Sequence, residues 1–193
     1  MKRILTLIML MAVCLCLFAC GDDSAVAGMK LASNTDVVDY KLYVPEGWLV
    51  SEAQRGATQA FVSDTDRTNV LVMQWNITEN TKTVSEWWEK EYKPQVFTSE
   101  AVKDVTVDKN SEGAEGEEIT LGAKPATRYG YEGKVGDSYF KYDVIACVTQ
   151  GSIYVIQFTY MQDAQEVNGN RTYSTIELHK EDVGKIVANF RFD

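Results

Sequence analysis

The chain has 193 residues, 45% hydrophobic and 24% charged, which is ordinary usage for one globular domain with little room for a second. That composition argues against a disordered chain, a fibre and a multi-span membrane protein. The formal net charge is −9, and so acidic a surface repels phosphate backbones, which argues against nucleic acid as a partner.

Lys2 and Arg3 open the chain with positive charge, and Ile4 to Phe18 is apolar apart from Thr6. The run is shorter than the roughly 20 residues that a transmembrane helix needs. A basic start, a short apolar stretch and a small residue before the cut describe a secretory signal peptide. Leu17-Phe18-Ala19-Cys20, followed by Gly21-Asp22-Asp23-Ser24, resembles the bacterial lipobox: an aliphatic residue, a tolerant position, a small residue, then Cys. The resemblance implies that residues 1–19 leave as a signal peptide. Cys20 then carries a diacylglycerol thioether and becomes a new N-terminus. With two or more chains such as palmitate the protein is held stably on the outer face of a cell membrane without crossing it. Losing Lys2 and Arg3 makes the remainder more acidic still, so lipid rather than a basic patch must hold it there. Cys14 and Cys16 leave with the signal peptide and Cys20 is acylated. Only Cys147 then remains, and no internal disulfide is expected. Residues 20–36 are mostly small and polar and read as a lipidated flexible tether, reaching at most ~50 Å. Residues 37–193 read as one domain.

Tyr40 to Val44 alternates like a strand, and Pro45-Glu46-Gly47 turns it. Trp48-Leu49-Val50 begins a second. Gln59–Val62 and Asn69–Trp75 flank the polar turn Ser63 to Thr68 and read as a hairpin. The period then changes. Thr83 and Glu86 fit a capping box, and Val84, Trp87, Trp88 and Tyr92 share a helix face that Pro94 ends or kinks. Glu112 to Glu118 is a loop by composition. Ala126–Glu132, Ser138–Val148 and Ile153–Tyr160 are the strongest strands. Phe140, Tyr142, Val144, Ala146 and Val148 share one face; Tyr154, Ile156, Phe158 and Tyr160 share one face of the next strand. The opposite face of Ser138–Val148 mixes Lys141 and Asp143 with Ile145 and Cys147, so one face should be dry and the other partly covered. Helical spacing returns at Val183, Ile186, Val187 and Phe190, and Phe190-Arg191-Phe192 closes as a short strand. The class is α+β, a central antiparallel sheet with helices packed on it.

Tyr40-Lys41-Leu42-Tyr43-Val44-Pro45-Glu46-Gly47-Trp48 resembles the opening of PsbP-like domains. Gly151 to Tyr160 resembles their late hairpin strand, and Ile186 to Phe192 their closing helix and aromatic-basic-aromatic end. Small bacterial lipoproteins of the DcrB type share this plan. The resemblance covers Asp39 to Asp193 and implies a sandwich with helices on both faces of the sheet. It also implies a non-catalytic accessory or assembly factor for a membrane complex. The histidines that bind metal in some members have no counterpart here, so no metal residue is carried over.

Candidate chemistry is sparse. Cys147 and His179, the only histidine, would be the nucleophile and base of an enzyme, but Cys147 alternates with core residues mid-strand, where a thiol is usually inert. Glu112, Glu115, Glu117 and Glu118 could bind a divalent cation only if they converged. Asp64-Thr65-Asp66-Arg67-Thr68-Asn69 has alternating oxygens without the later Gly and Glu of an EF-hand, and reads as a hairpin turn. Trp87 and Trp88 are adjacent, so a narrow apolar face would leave one partly exposed; with Trp48 they are the candidate partner or ligand contacts. No motif points to a cofactor. The expectation is a non-enzymatic lipoprotein of the bacterial cell envelope that binds or assists a membrane-associated protein. The alternative is a small-ligand binder, with a sugar, a lipid or a divalent cation as ligand. An aromatic-lined cleft with a few polar groups would favour the second; a dry exposed patch without a cleft would favour the first.

Overall fold

A computed structural model describes residues 26–51, 57–163 and 170–193. The expected signal peptide and the lipidation residue Cys20 lie outside the described residues. In chain order the strands begin with β1 (Met29–Leu31), β2 (Tyr40–Lys41), β3 (Tyr43–Pro45), β4 (Leu49–Ser51), β5 (Thr58–Phe61) and β6 (Asn69–Asn76). A helical run follows: α1 (Val84–Trp87), a π turn (Trp88–Tyr92) and α2 (Lys93–Val96). Then come β7 (Lys103–Val107), β8 (Glu117–Leu121), β9 (Lys124–Val135), β10 (Ser138–Thr149) and β11 (Ser152–Met161). The last elements are α3 (Ser174–Leu178), α4 (Lys180–Asn189) and β12 (Arg191–Phe192).

Among the described residues the main sheet has eight strands, in the order β4-β5-β6-β11-β10-β9-β7, with β8 on the same edge of β9 as β7. Every pairing is antiparallel; short turns join β5 to β6, β8 to β9, β9 to β10 and β10 to β11, while β6–β11 and β7–β9 pair across longer stretches of chain. The turns carry the required backbone. Gln150 and Gly151 both have positive φ, 50° and 76°, and so do Gly122 and Ala123, 53° and 61°, the geometry of type I′ hairpins. The short ladders β1–β3 and β12–β2 lie apart from the main sheet.

Alternation along β9, β10 and β11 divides the apolar residues between two cores. On one face lie Tyr129, Tyr131, Tyr142, Val144, Ala146, Ile153 and Val155, under Trp87, Trp88 and Tyr92 of the helical run. On the other lie Ala126, Ile145, Cys147, Tyr154, Ile156, Phe158 and Tyr160. These are covered by Val183, Ile186 and Phe190 and by Tyr40, Leu42, Val44 and Trp48. Helices therefore pack on both faces of an antiparallel sheet, the α+β class expected. The second face is only partly covered: Lys141, Asp143 and Arg128 share it where the helical layer stops.

Three local expectations change. The stretch 20–36 is not a free tether from Val26 onward. Met29 is buried and stands opposite Pro45 in the β1–β3 ladder, and the Ser33 hydroxyl donates to Tyr40 O and accepts from Leu42 N. Ser33 thus serves as a buried hydrogen-bonding group beside the second core. The Tyr40–Val44 strand divides at Leu42 because β2 pairs with β12 while β3 pairs with β1. Pro94 does not end the helix. The capping box forms as expected, Thr83 accepting from Glu86 N and Glu86 from Thr83 N. The run then widens, with Lys93 N–H bonding Trp88 O, and after this π turn the helix continues through Pro94 to Val96.

Candidate functional site

The three tryptophans expected as contacts lie in the interior. Trp87 is 0% exposed, Trp88 1% and Trp48 3%, so none offers a surface to a partner or lines an open cleft. The helix face is wide enough for both neighbours. The π turn begins at Trp88, so Trp88 stacks on Tyr129 at 4.1 Å and on Tyr92 at 4.9 Å, while Trp87 meets Trp75 edge-on at 5.5 Å. The Trp88 indole N–H donates to Glu115 at 2.9 Å, and Lys93 pairs with the same carboxylate at 2.6 Å. Burial pushes Glu115 up, but the bonds from Lys93 and Trp88 outweigh it and hold the carboxyl below its ordinary range. The acidic stretch is thus not a free loop throughout: Glu115 locks the helical run, and Glu117 and Glu118 begin β8. Among the described residues no three His, Cys, Asp or Glu side chains are grouped as metal ligands.

Cys147 and His179 do not form a dyad. Burial pushes the Cys147 thiol up to about 12, which leaves it protonated and unreactive. His179 Nε2 lies 2.8 Å from Asp66 and Nδ1 3.8 Å from Asp182, with its ring edge-on to Trp48. It ties the β5–β6 turn to the junction of α3 and α4.

The open part of the second face forms a groove of about 990 Å3, at the upper end of the ~300–1,000 Å3 typical of small-molecule sites. One wall is α4 with Lys180, Val183, Gly184 and Val187. The facing wall is the β8–β9 turn with Ile119, Gly122 and Ala123, and β12 with Arg191 and Phe192. Ile145 and Tyr160 of the sheet form the floor. Gly122 packs its backbone against the Phe192 ring, so a side chain there would push β12 outward. A smaller cleft of about 350 Å3, reaching Asp108, Lys109, Glu117 and Lys141, shares Arg128, Tyr160 and Ile176 with the groove.

Arg128 stands at that junction. Its Nε and Nη2 donate to the two oxygens of Asp143 at 2.7 and 2.5 Å, a fork that holds the guanidinium above its already high range. Arg128 lies opposite Ile145 and Asp143 opposite Gly130, so the pair is diagonal across β9 and β10. Burial, then the Asp143 charge, push the Tyr160 phenol well above its ordinary range, so it stays neutral. This arrangement sets cations and a neutral hydroxyl around an apolar floor.

Sequence reasoning missed Arg128, Tyr160, Lys180 and Arg191. The available signal was the mixing of Lys141 and Asp143 with apolar residues on one strand face, which marks a place where the covering layer stops.

No family model and no curated protein matches the chain. Among solved structures, a protein from Bacteroides thetaiotaomicron overlays with a TM-score of 0.52 at 10% identity, over 87% of this chain and 49% of that one. The chain therefore spans about half the length of that protein. LpqN of Mycobacterium tuberculosis, described as involved in cell envelope biogenesis, overlays more loosely, with a TM-score of 0.45 at 11% identity over 79% of this chain and 82% of its own. No helix among the described residues is long and apolar enough to cross a membrane. The Bacteroides likeness shows the fold, a large antiparallel sheet carrying a few helices, and leaves the chemistry to be read from the groove.

Proposed function

We propose that the chain is an extracytoplasmic lipoprotein of a bacterial envelope, anchored by acyl chains on Cys20, whose domain binds a small ligand without transforming it. The groove between α4 and the β8–β9 turn carries this reading, because it joins ligand-sized volume to an apolar floor and a few polar groups. The protonated Cys147 thiol and the engagement of His179 with Asp66 support a non-catalytic role. The anchor rests on Leu17-Phe18-Ala19-Cys20.

Gly184 supplies the test. It lies mid-helix on the groove wall, and a Cβ there meets nothing within 4 Å, so Gly184→Leu starts from open space and narrows the groove. Wild type, Gly184→Leu and Cys20→Ala are expressed as full chains in a bacterial host fed an alkynyl palmitate. Native mass spectrometry follows gentle release from the membrane. Wild type and Gly184→Leu should carry the label and Cys20→Ala should not; equal labelling of Cys20→Ala overturns the anchor. A small-molecule adduct on wild type but not on Gly184→Leu supports the groove, and an adduct unaffected by Gly184→Leu overturns it.

A second reading keeps one observation. Leu49 and Val50, 50% and 43% exposed on the edge strand β4, suit contact with a membrane-associated protein. Loss of a cross-linked partner in Leu49→Lys/Val50→Lys, with the groove adduct retained, would favour it.

A further inference from the structure

We infer that the groove takes an anionic amphiphile: a single acyl or alkyl chain ending in a carboxylate or a phosphate. This rests on the groove being a ligand site.

The argument is charge set against composition. The protein carries a formal −9, yet the groove lining gathers Arg128, Lys180 and Arg191 against Glu177, with Asp143 paired to Arg128 beside it. Arg191 has no carboxylate partner among the described residues; its guanidinium sits 5.9 Å from the centre of the Tyr43 ring. Lys180 pairs with Glu177 only across the surface, where both side chains are more than two-thirds exposed and such a pair exchanges readily for another anion. Arg128 is fixed by Asp143 through Nε and Nη2, which leaves the Nη1 edge of its five-donor fork uncommitted. Tyr160 adds a hydroxyl with no hydrogen-bond partner among the described residues. Between these groups the surface is aliphatic and aromatic: Ile119, Ile145, Val183, Val187, Phe190 and Phe192. A divalent cation meets like charge here. A free sugar would leave its hydroxyls facing aliphatic walls, which costs affinity. An acyl chain satisfies the walls, and an acidic head satisfies the rim.

The full chain, reconstituted in phosphatidylcholine nanodiscs, is labelled with a diazirine derivative of decanoate. Decanoate, decyl phosphate and decan-1-ol are the competitors. Labelled peptides should fall within residues 119–128 and 176–192. Decanoate and decyl phosphate should compete at least about tenfold better than decan-1-ol, as expected for one lost charge-assisted contact. The better of the two names the head group. Arg191→Gln should weaken binding about tenfold, and Gly184→Leu, which narrows the groove, should weaken it as well. Arg191 is exposed and makes no ion pair among the described residues, so its variant tests the charge even if Arg128→Gln fails to fold. Equal competition by decan-1-ol, or an unaffected Arg191→Gln, overturns the anionic head while the groove stands as a ligand site. Absence of any groove labelling in wild type overturns both.

Discussion

Trp48 lies under the C-terminal helices with its ring 6.3 Å from that of His179. Removing so large a buried side chain leaves a cavity its neighbours cannot fill. Trp48→Ala should therefore destabilise the fold by about 3–5 kcal/mol, read from urea unfolding. A near-neutral curve would mean that the indole is not a packing element. Asp66, on the other side of His179, sets an acid limit. Burial alone would raise its carboxyl, but hydrogen bonds from Thr68 and His179 outweigh burial and hold it below 3.8. Because the folded value lies below the unfolded one, this stabilisation is complete above 3.8 and fades as pH falls through the folded value. Asp66→Asn should flatten the loss of stability below about pH 4, with the difference from wild type shrinking toward the acid end. Urea midpoints across that range would show it.

Ala123 has a φ of 61°, a left-handed backbone that costs a residue with a Cβ about 1–2 kcal/mol. Glycine removes that strain but adds entropy to the unfolded chain. Ala123→Gly should stabilise by roughly 0.5–1 kcal/mol, seen as a higher melting temperature. The strained residue lines the groove, where such costs tend to be kept for function. Element by element, the sequence was legible where periodicity was clean: the β5–β6 and β10–β11 hairpins, the capping box and α4 all stand as read. β7 was hidden because Asp104 has a φ of 51° and the pairing with β9 slips between Lys103 and Thr106, which breaks the alternation. β8 was hidden because it starts inside an acidic run. Whether both adjacent tryptophans could be buried depended on the width of the helix face; the π turn lays Trp88 flat on Tyr129, and both are interior.

The whole molecule has two cores that share β9, β10 and β11, so neither face can lose its sheet without the other. Urea unfolding followed by tryptophan fluorescence, which reports mainly on Trp75, Trp87 and Trp88 of one face, should coincide with that followed by far-UV circular dichroism. Separate transitions would show the faces melting apart. The groove was illegible at this scale for a related reason. Its cations come from β9, α4 and β12, and only the register and the return of the chain bring them together, against an acidic total that points elsewhere. The two faces also differ in when their parts become available. Every side chain that closes the aromatic face lies between Asn69 and Met161, but the opposite face waits for Val183, Ile186 and Phe190. A polypeptide made from its amino terminus therefore has every residue of one face in hand before the other face can be covered. The groove is then the last feature of the molecule to form, because α4 and β12, which wall it, are the last elements to be made.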